Sequence, residues 1–173
     1  MKFVNLEIEG VLGIVEKPLI DTRGSLIRVW DSNSVLNNFN LNQSSIVLNP
    51  FLGTLRGLHY QVEPFSENKI VECVTGKSFD VIVDLRKESQ TYGKHLEIYI
   101  GPFEKYLGLF VPAGCAHGYL TLEPNSTLLY FMDNKYSPEH SRGLIWNDPK
   151  LSITWPNQPI LISERDLMWP QLL

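Results

Sequence analysis

Two histidines combine a reactive side chain with an unusual local sequence. His59 lies in the segment Arg56–Gln61 (Arg-Gly-Leu-His-Tyr-Gln), and His117 ends the pattern Pro-x-Gly-x-x-His that begins at Pro112. The glycines in both segments predict turns that feed strands. Imidazole titrates near neutral pH, so two imidazoles in one pocket would suit either metal binding or proton transfer.

The elements that must position these histidines are short strands. Alternation of apolar and polar residues predicts strands at Phe79–Leu85 and His95–Ile100. Further strand patterns lie at Lys69–Val74, Leu107–Val111, Gly118–Leu122 and Thr127–Met132. Only Ser32–Phe39 and the segment after Ser163 favour a helix. This pattern predicts one all-β domain over residues 1–173, a cupin-type jelly-roll β-barrel with a few short helices.

Composition narrows the setting of such a domain. The chain has 173 residues, of which 43% are apolar, as in a globular domain. A net charge of -4 argues against a nucleic-acid partner. No apolar run approaches the roughly 20 residues that would span a membrane, and the first residues do not resemble a signal peptide. We expect Cys73 and Cys115 to be reduced core residues of a cytoplasmic protein.

The other candidate side chains have ordinary structural interpretations. A strand-end lysine such as Lys69 is usually solvated, Tyr130 would by default be a core aromatic, and Asp166 a surface charge at a helix start. We interpret His95 and His140 as solvated side chains.

The first segment does not suit a metal site. Metal-binding cupins usually supply His-x-His and a carboxylate on one hairpin and a third histidine on another. Here Gln61 stands two residues after His59, so the first pair is broken. Two histidines without a carboxylate make a poor transition-metal site, and a metal-free acid–base pocket without a cofactor is the better interpretation.

Several motifs resemble the dTDP-4-dehydrorhamnose 3,5-epimerase family. They are Arg56–Gln61, Lys69, Asp80–Arg86, Ser89–Gly93, Pro112–Tyr119, Tyr136–Pro138, Trp146–Pro149 and Trp155–Pro156. They follow the family's order and run from about Asp21 to Asp166. The resemblance implies an isomerase of deoxysugar biosynthesis, a jelly-roll homodimer that binds a nucleotide-diphospho-4-keto-6-deoxyhexose without metal.

The resemblance also implies roles for four catalytic residues. The C4 ketone of such a substrate acidifies the protons on C3 and C5, so a base can remove either proton to give an enolate. His59 matches the family's base, and Asp166 matches the carboxylate that orients its imidazole. Tyr130 matches the acid that reprotonates the opposite face, and Lys69 matches a cation near the O4 enolate.

Five further residues are implied to bind substrate. His117 matches a residue that lines the sugar site near O4, and Tyr136 one that constrains the sugar at C5. Gln61 is also among the substrate-binding residues. Arg56 and Arg23 are placed to take the diphosphate, with Arg23 supplied by the partner subunit. These cations would supply the positive charge that the acidic chain as a whole lacks.

Two segments depart from the family pattern. The family reads Gln-x-Asn-x-Ser-x-Ser ahead of the Arg56 motif, whereas the aligned stretch Ser44–Pro50 keeps almost none of it. Where the family prefers Phe-x-Glu, this chain has Leu26–Arg28 (Leu-Ile-Arg). Our hypothesis is that 4-ketosugar epimerisation is retained while the nucleotide or the sugar differs.

Three alternatives stay open beside double epimerisation. A restricted relative would invert C3 alone, although the presence of Tyr136 favours inversion of both centres. A metal-dependent cupin dioxygenase and a non-catalytic sugar-binding module belong to other classes. The N-terminal segments Phe3–Glu9 and Leu26–Trp30 are expected as strands that could pair across a two-fold axis.

Overall fold

The computed structural model describes residues 1–31, 36 and 39–172, and nearly all of its regular structure is β. The strands are β1 Lys2–Asn5, β2 Leu12–Val15, β3 Leu19–Asp21, β4 Gly24–Leu26, β5 Gln43–Asn49, β6 Thr54–Gln61, β7 Lys69–Thr75, β8 Ser78–Asp84, β9 His95–Ile100, β10 Gly108–Val111, β11 Cys115–Thr121, β12 Ser126–Met132, β13 Ser141–Gly143 and β14 Leu161–Ile162. A 3₁₀ turn at Pro138–His140 and the α-helix α1 at Glu164–Leu167 are the helical elements of the described residues.

The strands form two sheets and one separate hairpin. The first sheet has the order β1-β2-β10-β7-β12-β5, and the second has the order β13-β6-β11-β8-β9, with β14 parallel to β6. The pairing of strands distant in sequence, such as β12 with both β5 and β7, is that of a jelly roll. The predicted all-β, cupin-like jelly-roll fold is confirmed. The β3–β4 hairpin lies outside both sheets.

The main core lies between the two sheets and follows from the alternation along each strand. Val71 and Cys73 of β7 and Ile82 of β8 point into it and are fully buried. Val81 and Val83 point to the other face of β8, where they pack against the segment after β13 in a second apolar cluster. β8 is therefore covered on both faces, which agrees with the burial of every residue in the strand.

Most predicted elements are found, and two N-terminal strands differ. The predicted strand Phe3–Glu9 ends at Asn5, because the chain then turns back, with the Leu6 N–H donating to the Val11 carbonyl and the Val11 N–H donating to the Ile8 carbonyl. The predicted strand Leu26–Trp30 is wrong, since only Leu26 belongs to a strand, the short β4. The predicted helix Ser32–Phe39 lies outside the described residues, apart from positions 36 and 39.

The helix predicted after Ser163 is confirmed and begins with a capping hydrogen bond. The Ser163 hydroxyl accepts from the backbone N–H of Asp166 at 3.1 Å. His140, expected to be solvated, is half-buried, contacts the Phe65 ring and bonds Ser137 through Nδ1. His95 is also half-buried, beside Glu97.

The two cysteines, Cys73 and Cys115, are buried and free. Burial raises the pKa of both thiols to about 12, so both stay protonated and unreactive at neutral pH. No helix in the described ranges has the length and apolar character needed to cross a membrane.

Candidate active site

A cavity of about 640 Å³ opens between the two sheets. β6 and β11 of the second sheet contribute Arg56, His59 and His117 to its wall. β7 and β12 of the first sheet contribute Lys69 and Tyr130. The remaining lining residues are Ser45, Val47, Thr54, Leu55, Tyr60, Gln61, Glu67, Met132, Tyr136, Ser141, Leu161, Ile162, Ser163, Arg165 and Asp166. Every predicted site residue except Arg23 therefore lines one cavity.

The two histidines of the pocket are cross-strand partners. His59 of β6 faces His117 of β11 in the antiparallel register, so both side chains lie on the same face of the sheet. Gly57 and Gly118 let the paired strands β6 and β11 approach more closely than other residues would allow. A Cβ on Gly57, whose φ is +116°, would lie 2.5 Å from the Gly118 Cα.

His59 is paired with a carboxylate from the far end of the chain. Its Nε2 lies 2.5 Å from Oδ1 of Asp166. The backbone N–H of Gly57 donates to Oδ2 of Asp166 at 3.2 Å, and the indole N–H of Trp169 donates to Oδ1 at 3.1 Å. Helix α1 and its cap at Ser163 place Asp166 over β6, which neither strand pattern nor sequence distance could show.

The charge state of this pair follows from its contacts. Burial by itself would raise the pKa of Asp166, but the hydrogen bonds from His59, Gly57 and Trp169 outweigh burial and hold this pKa below its usual value. Asp166 is therefore a carboxylate at neutral pH and can only accept hydrogen bonds. Nε2 of His59 must then carry a proton, and Nδ1 is the nitrogen left to accept one.

His117 also faces a carboxylate but lies deeper. Its Nε2 is 2.8 Å from Oδ2 of Asp80, and the other oxygen of this carboxylate, Oδ1, accepts from the Ser78 hydroxyl at 2.6 Å. Burial lowers the pKa of His117 in spite of the hydrogen bond to Asp80. A neutral imidazole that donates Nε2–H to Asp80 has only an acceptor nitrogen left for a ligand.

Tyr130 enters the cavity from the sheet opposite His59. Its ring centroid lies 6.1 Å from that of His117. Burial raises the pKa of the Tyr130 phenol well above its usual value, so the hydroxyl keeps its proton. That hydroxyl bonds to no residue in the described part of the chain, so it is available to a ligand.

Lys69 is almost buried and is paired with a carboxylate that sequence analysis did not single out. Its Nζ lies 3.0 Å from Oε1 of Glu67, and the side chains are only 9% and 10% exposed. Gln61 donates its Nε2–H to Oε2 of the same carboxylate. The Gln61 amide also bonds the backbones of Phe65, Lys135 and Ser137, so its contacts are with the protein itself.

The pocket rim carries two further cations. Arg56 is exposed, and its Nε donates to Oδ1 of Asn49 at 3.0 Å, which holds the guanidinium by one edge. Arg165 donates to the hydroxyls of Tyr136 at 3.2 Å and Ser141 at 2.8 Å and lies over the Trp169 ring. Sequence analysis missed Arg165 because a charged residue in a four-residue helix carries no distinguishing pattern.

Arg23 is the one predicted site residue that lies outside the cavity. Its side chain is 88% exposed at the tip of the β3–β4 hairpin, where it pairs with Asp21 at 2.6 Å. Leu19, Ile20 and Leu26 of the same hairpin are also exposed. Within one chain, Arg23 therefore makes no contribution to the pocket.

The structure corrects the comparison of the Ser44–Pro50 stretch with the family pattern. Strand β5 alternates so that Gln43, Ser45, Val47 and Asn49 share the face that lines the pocket and holds Arg56, while Ile46 and Leu48 are exposed. The pocket-facing set begins with glutamine and has the family's two-residue spacing. When Gln43 is counted with the stretch, three of the four side chains on this face are polar, and the departure is Val47.

No three side chains of His, Cys, Asp or Glu come together in a metal-binding arrangement within residues 1–31, 36 and 39–172. Each of the two pocket histidines instead points one nitrogen at its own carboxylate.

The fold and pocket define the class: a cupin-like jelly roll with a histidine–carboxylate pair between its sheets. A sequence model of the family described as dTDP-4-dehydrorhamnose 3,5-epimerase matches residues 5–173. The chain belongs to this family, and it is therefore an isomerase.

Individual relatives agree over the whole chain. A dTDP-4-dehydrorhamnose 3,5-epimerase of Sinorhizobium fredii is 40% identical, over 99% of this chain and 90% of that protein. The Bacillus anthracis dTDP-4-dehydrorhamnose 3,5-epimerase, solved with TDP and PPi bound, superposes with a TM-score of 0.89 at 32% identity and 99% coverage of both chains. A 3′-monoepimerase of Streptomyces bikiniensis, in complex with dTDP-quinovose, has a TM-score of 0.87 at 29% identity, over 96% of this chain and 85% of that one.

Proposed function

We propose that the protein inverts C3 and C5 of a dTDP-linked 4-keto-6-deoxyhexose by metal-free acid–base catalysis through an enolate. The observation that carries this proposal is the pairing of His59 with Asp166 on one sheet, opposite the protonated phenol of Tyr130 on the other. Inversion needs one group on each side of a sugar ring, and a cavity between two sheets supplies both.

His59 is the proposed base. The C4 ketone stabilises the carbanion formed when a proton leaves C3 or C5, and Nδ1 of His59 accepts that proton. Asp166 fixes the tautomer that leaves Nδ1 unprotonated, and its negative charge stabilises the imidazolium that forms. A base positioned in this way contributes about 10²–10⁴ in rate.

Tyr130 is the proposed acid. Because burial keeps its hydroxyl protonated, Tyr130 can deliver a proton to the enolate carbon from the face opposite His59. The tyrosinate then regains a proton and the imidazolium loses one, which restores the starting charges. The centre is inverted because the two protons pass on opposite faces.

Lys69 and His117 are proposed to act at O4 and its neighbours. The Lys69 ammonium supplies a positive charge on the pocket wall, where an enolate oxygen would develop negative charge. Neutral His117, with Nε2–H committed to Asp80, is suited to accept a hydrogen bond from a sugar hydroxyl. These two roles are different, because a neutral imidazole does not stabilise an anion as an ammonium does.

The diphosphate is proposed to bind at the rim, between Arg56 and Arg23 of the partner subunit. Asn49 holds the Nε of Arg56, and no other hydrogen bond engages this guanidinium within the described residues, so its terminal nitrogens are available. The exposed β3–β4 hairpin carries Arg23 together with apolar side chains, as expected of a segment that docks on a second copy in a homodimer. Tyr136 and Gln61 complete the sugar side, and the buried free thiols favour a reducing, cytoplasmic setting.

A C3-only epimerase is the second candidate, favoured by the close structural likeness to a 3′-monoepimerase. Proton NMR with dTDP-4-keto-6-deoxyglucose in D₂O separates the two. Deuterium at C3 and C5, lost in His59→Ala, would support double epimerisation, and deuterium at C3 alone would support the second candidate. No exchange at either carbon would contradict both.

A further inference from the structure

Three buried side chains, Gln61, Glu67 and Lys69, form a polar network along one wall of the pocket. Glu67 uses both carboxylate oxygens: Oε1 pairs with the Lys69 ammonium at 3.0 Å, and Oε2 accepts from the Gln61 amide. All three residues line the cavity. Glu67 is nevertheless absent from the motifs that single out the catalytic residues, and acid–base catalysis by His59 and Tyr130 does not use it.

Gln61, at one end of this network, is fixed to the backbone. Gln61 donates to the carbonyls of Phe65 at 2.9 Å and Lys135 at 3.1 Å, and its own carbonyl accepts from the N–H of Ser137 at 2.6 Å. Gln61 therefore joins β6 to two loops and has little freedom to move. A carboxylate held by such a residue is itself held in place.

Lys69, at the other end of this network, is the side chain whose position must be held. A lysine ammonium sits on a flexible four-carbon stem and can be directed only by the groups that it bonds. Lys69 has three N–H donors, which is more than an ion pair with one oxygen of Glu67 can occupy. Burial of both side chains makes this pair less screened by water than a surface pair.

We infer that Glu67 is a positioning residue, which holds the Lys69 ammonium where the enolate oxygen develops charge. The inference rests on the proposed function, in which Lys69 faces O4. Glu67 touches neither the proton that moves nor the carbon that is inverted. It acts through Lys69, so its contribution should exist only while Lys69 is present.

The test compares Glu67→Gln with the wild-type protein in the D₂O assay at C3 and in steady-state kinetics. Glutamine has the same shape but no charge, so we expect kcat to fall about ten- to hundredfold while KM changes by less than about threefold. Glu63→Gln is the matched control, because Glu63 is an exposed carboxylate on the same loop that bonds only Ser66. It should keep wild-type rates.

A double-mutant cycle with Lys69→Met separates positioning from a structural role. Glu67→Gln should cause no further loss of kcat in the Lys69→Met background. Additive losses, a change in KM alone, or wild-type kcat in Glu67→Gln would each overturn the inference. If Glu67→Gln does not fold, Glu67→Asp takes its place in the same cycle, with a several-fold loss expected because the shortened side chain no longer reaches Lys69 well.

Failure of the inference is distinguishable from failure of the proposed function. A wild-type protein that exchanges C3 normally, with Glu67 variants that do the same, overturns the role of Glu67 alone. A wild-type protein that exchanges neither C3 nor C5 overturns the proposed function, and the role of Glu67 with it.

Discussion

Nε2 of His59 lies 2.5 Å from Oδ1 of Asp166, although the two residues are 107 positions apart in the chain. Trp169 and Gly57 hold the same carboxylate, so the orientation of the imidazole depends on the C-terminal segment. Helix α1 and the residues that follow it thus complete the base.

The first prediction concerns this pair. Asp166→Asn replaces an acceptor with an amide that can donate to Nε2, which favours the tautomer with the proton on Nδ1. We expect kcat to fall by about 10²–10⁴ with a smaller change in KM, measured as deuterium uptake at C3. Glu164→Gln, in the same helix but exposed, should keep wild-type activity. Equal losses in both variants would contradict a specific role for Asp166.

The second prediction concerns Tyr130. Tyr130→Phe removes the acid and leaves the base, so His59 should still exchange the C3 proton while inversion stops. We expect slow deuterium uptake with retention of configuration and a loss of epimerised product of about 10²–10⁴, followed by NMR. Tyr92→Phe, which changes an exposed hydroxyl, serves as the control. Normal inversion by Tyr130→Phe would remove Tyr130 from the mechanism.

The third prediction concerns Glu72, which is fully buried on β7 and has no hydrogen-bond partner among the described residues. Burial, with a smaller repulsion from Glu16, raises the pKa of Glu72 from 4.5 to about 8. The folded protein therefore keeps a proton that the unfolded chain releases above about pH 4.5. Stability should fall as pH rises from about 4.5 to about 8, by up to roughly 1.4 kcal/mol per pH unit from this group.

Urea unfolding of Glu72→Gln across this pH range checks the effect. The variant should lose the downward slope that Glu72 causes, so the stability difference between variant and wild type grows in favour of the variant towards pH 8. Glu88→Gln, an exposed carboxylate, should follow the wild-type curve. Parallel curves for wild type and Glu72→Gln would show that Glu72 is not protonated in the folded protein.

The fourth prediction concerns the close approach of the paired strands β6 and β11 at Gly57 and Gly118. In Gly57→Ala a Cβ would lie 2.5 Å from the Gly118 Cα and 2.8 Å from the His117 carbonyl oxygen, in a backbone conformation that alanine rarely adopts. We expect a loss of stability of roughly 2–5 kcal/mol, measured by urea unfolding, and a loss of activity because His59 moves relative to His117.

Gly93→Ala is the matched control for Gly57→Ala. Gly93 also has a positive φ, +75°, but a Cβ there would meet no atom within 4 Å. The control should lose only the roughly 1–2 kcal/mol of a left-handed alanine. Similar losses in the two variants would show that backbone conformation, and not the contact with β11, sets the cost.

The fifth prediction separates the metal-dependent alternative. We expect activity to be unchanged after prolonged dialysis against EDTA, because the proposed proton transfers and charge stabilisation are carried out by side chains such as His59, Tyr130 and Lys69. Elemental analysis of the purified protein is the accompanying measurement. Stoichiometric iron, manganese or zinc whose removal abolishes activity would contradict the metal-free proposal.

The sequence alone determined most strands after β5 and singled out the two histidines, because alternation and turn glycines are properties of residues close together in the chain. Phe79–Leu85 and His95–Ile100 were predictable as strands from their own residues, and β8 and β9 occupy almost those ranges. The motif around His59 did not by itself separate a functional histidine from a structural one, and its predicted place in the pocket came from the resemblance to the family.

Only the tertiary structure decided which groups face those residues. Asp80 reaches His117, Glu67 reaches Lys69, and β5 turns Ser45 towards the pocket through backbone pairing and register that no local pattern specifies. The same holds for Arg23, which the family resemblance assigns to substrate binding but whose hairpin lies away from the pocket of its own chain. The sequence specifies which functional group each side chain carries. Its protonation state and orientation depend on the neighbouring groups that the tertiary structure places beside it.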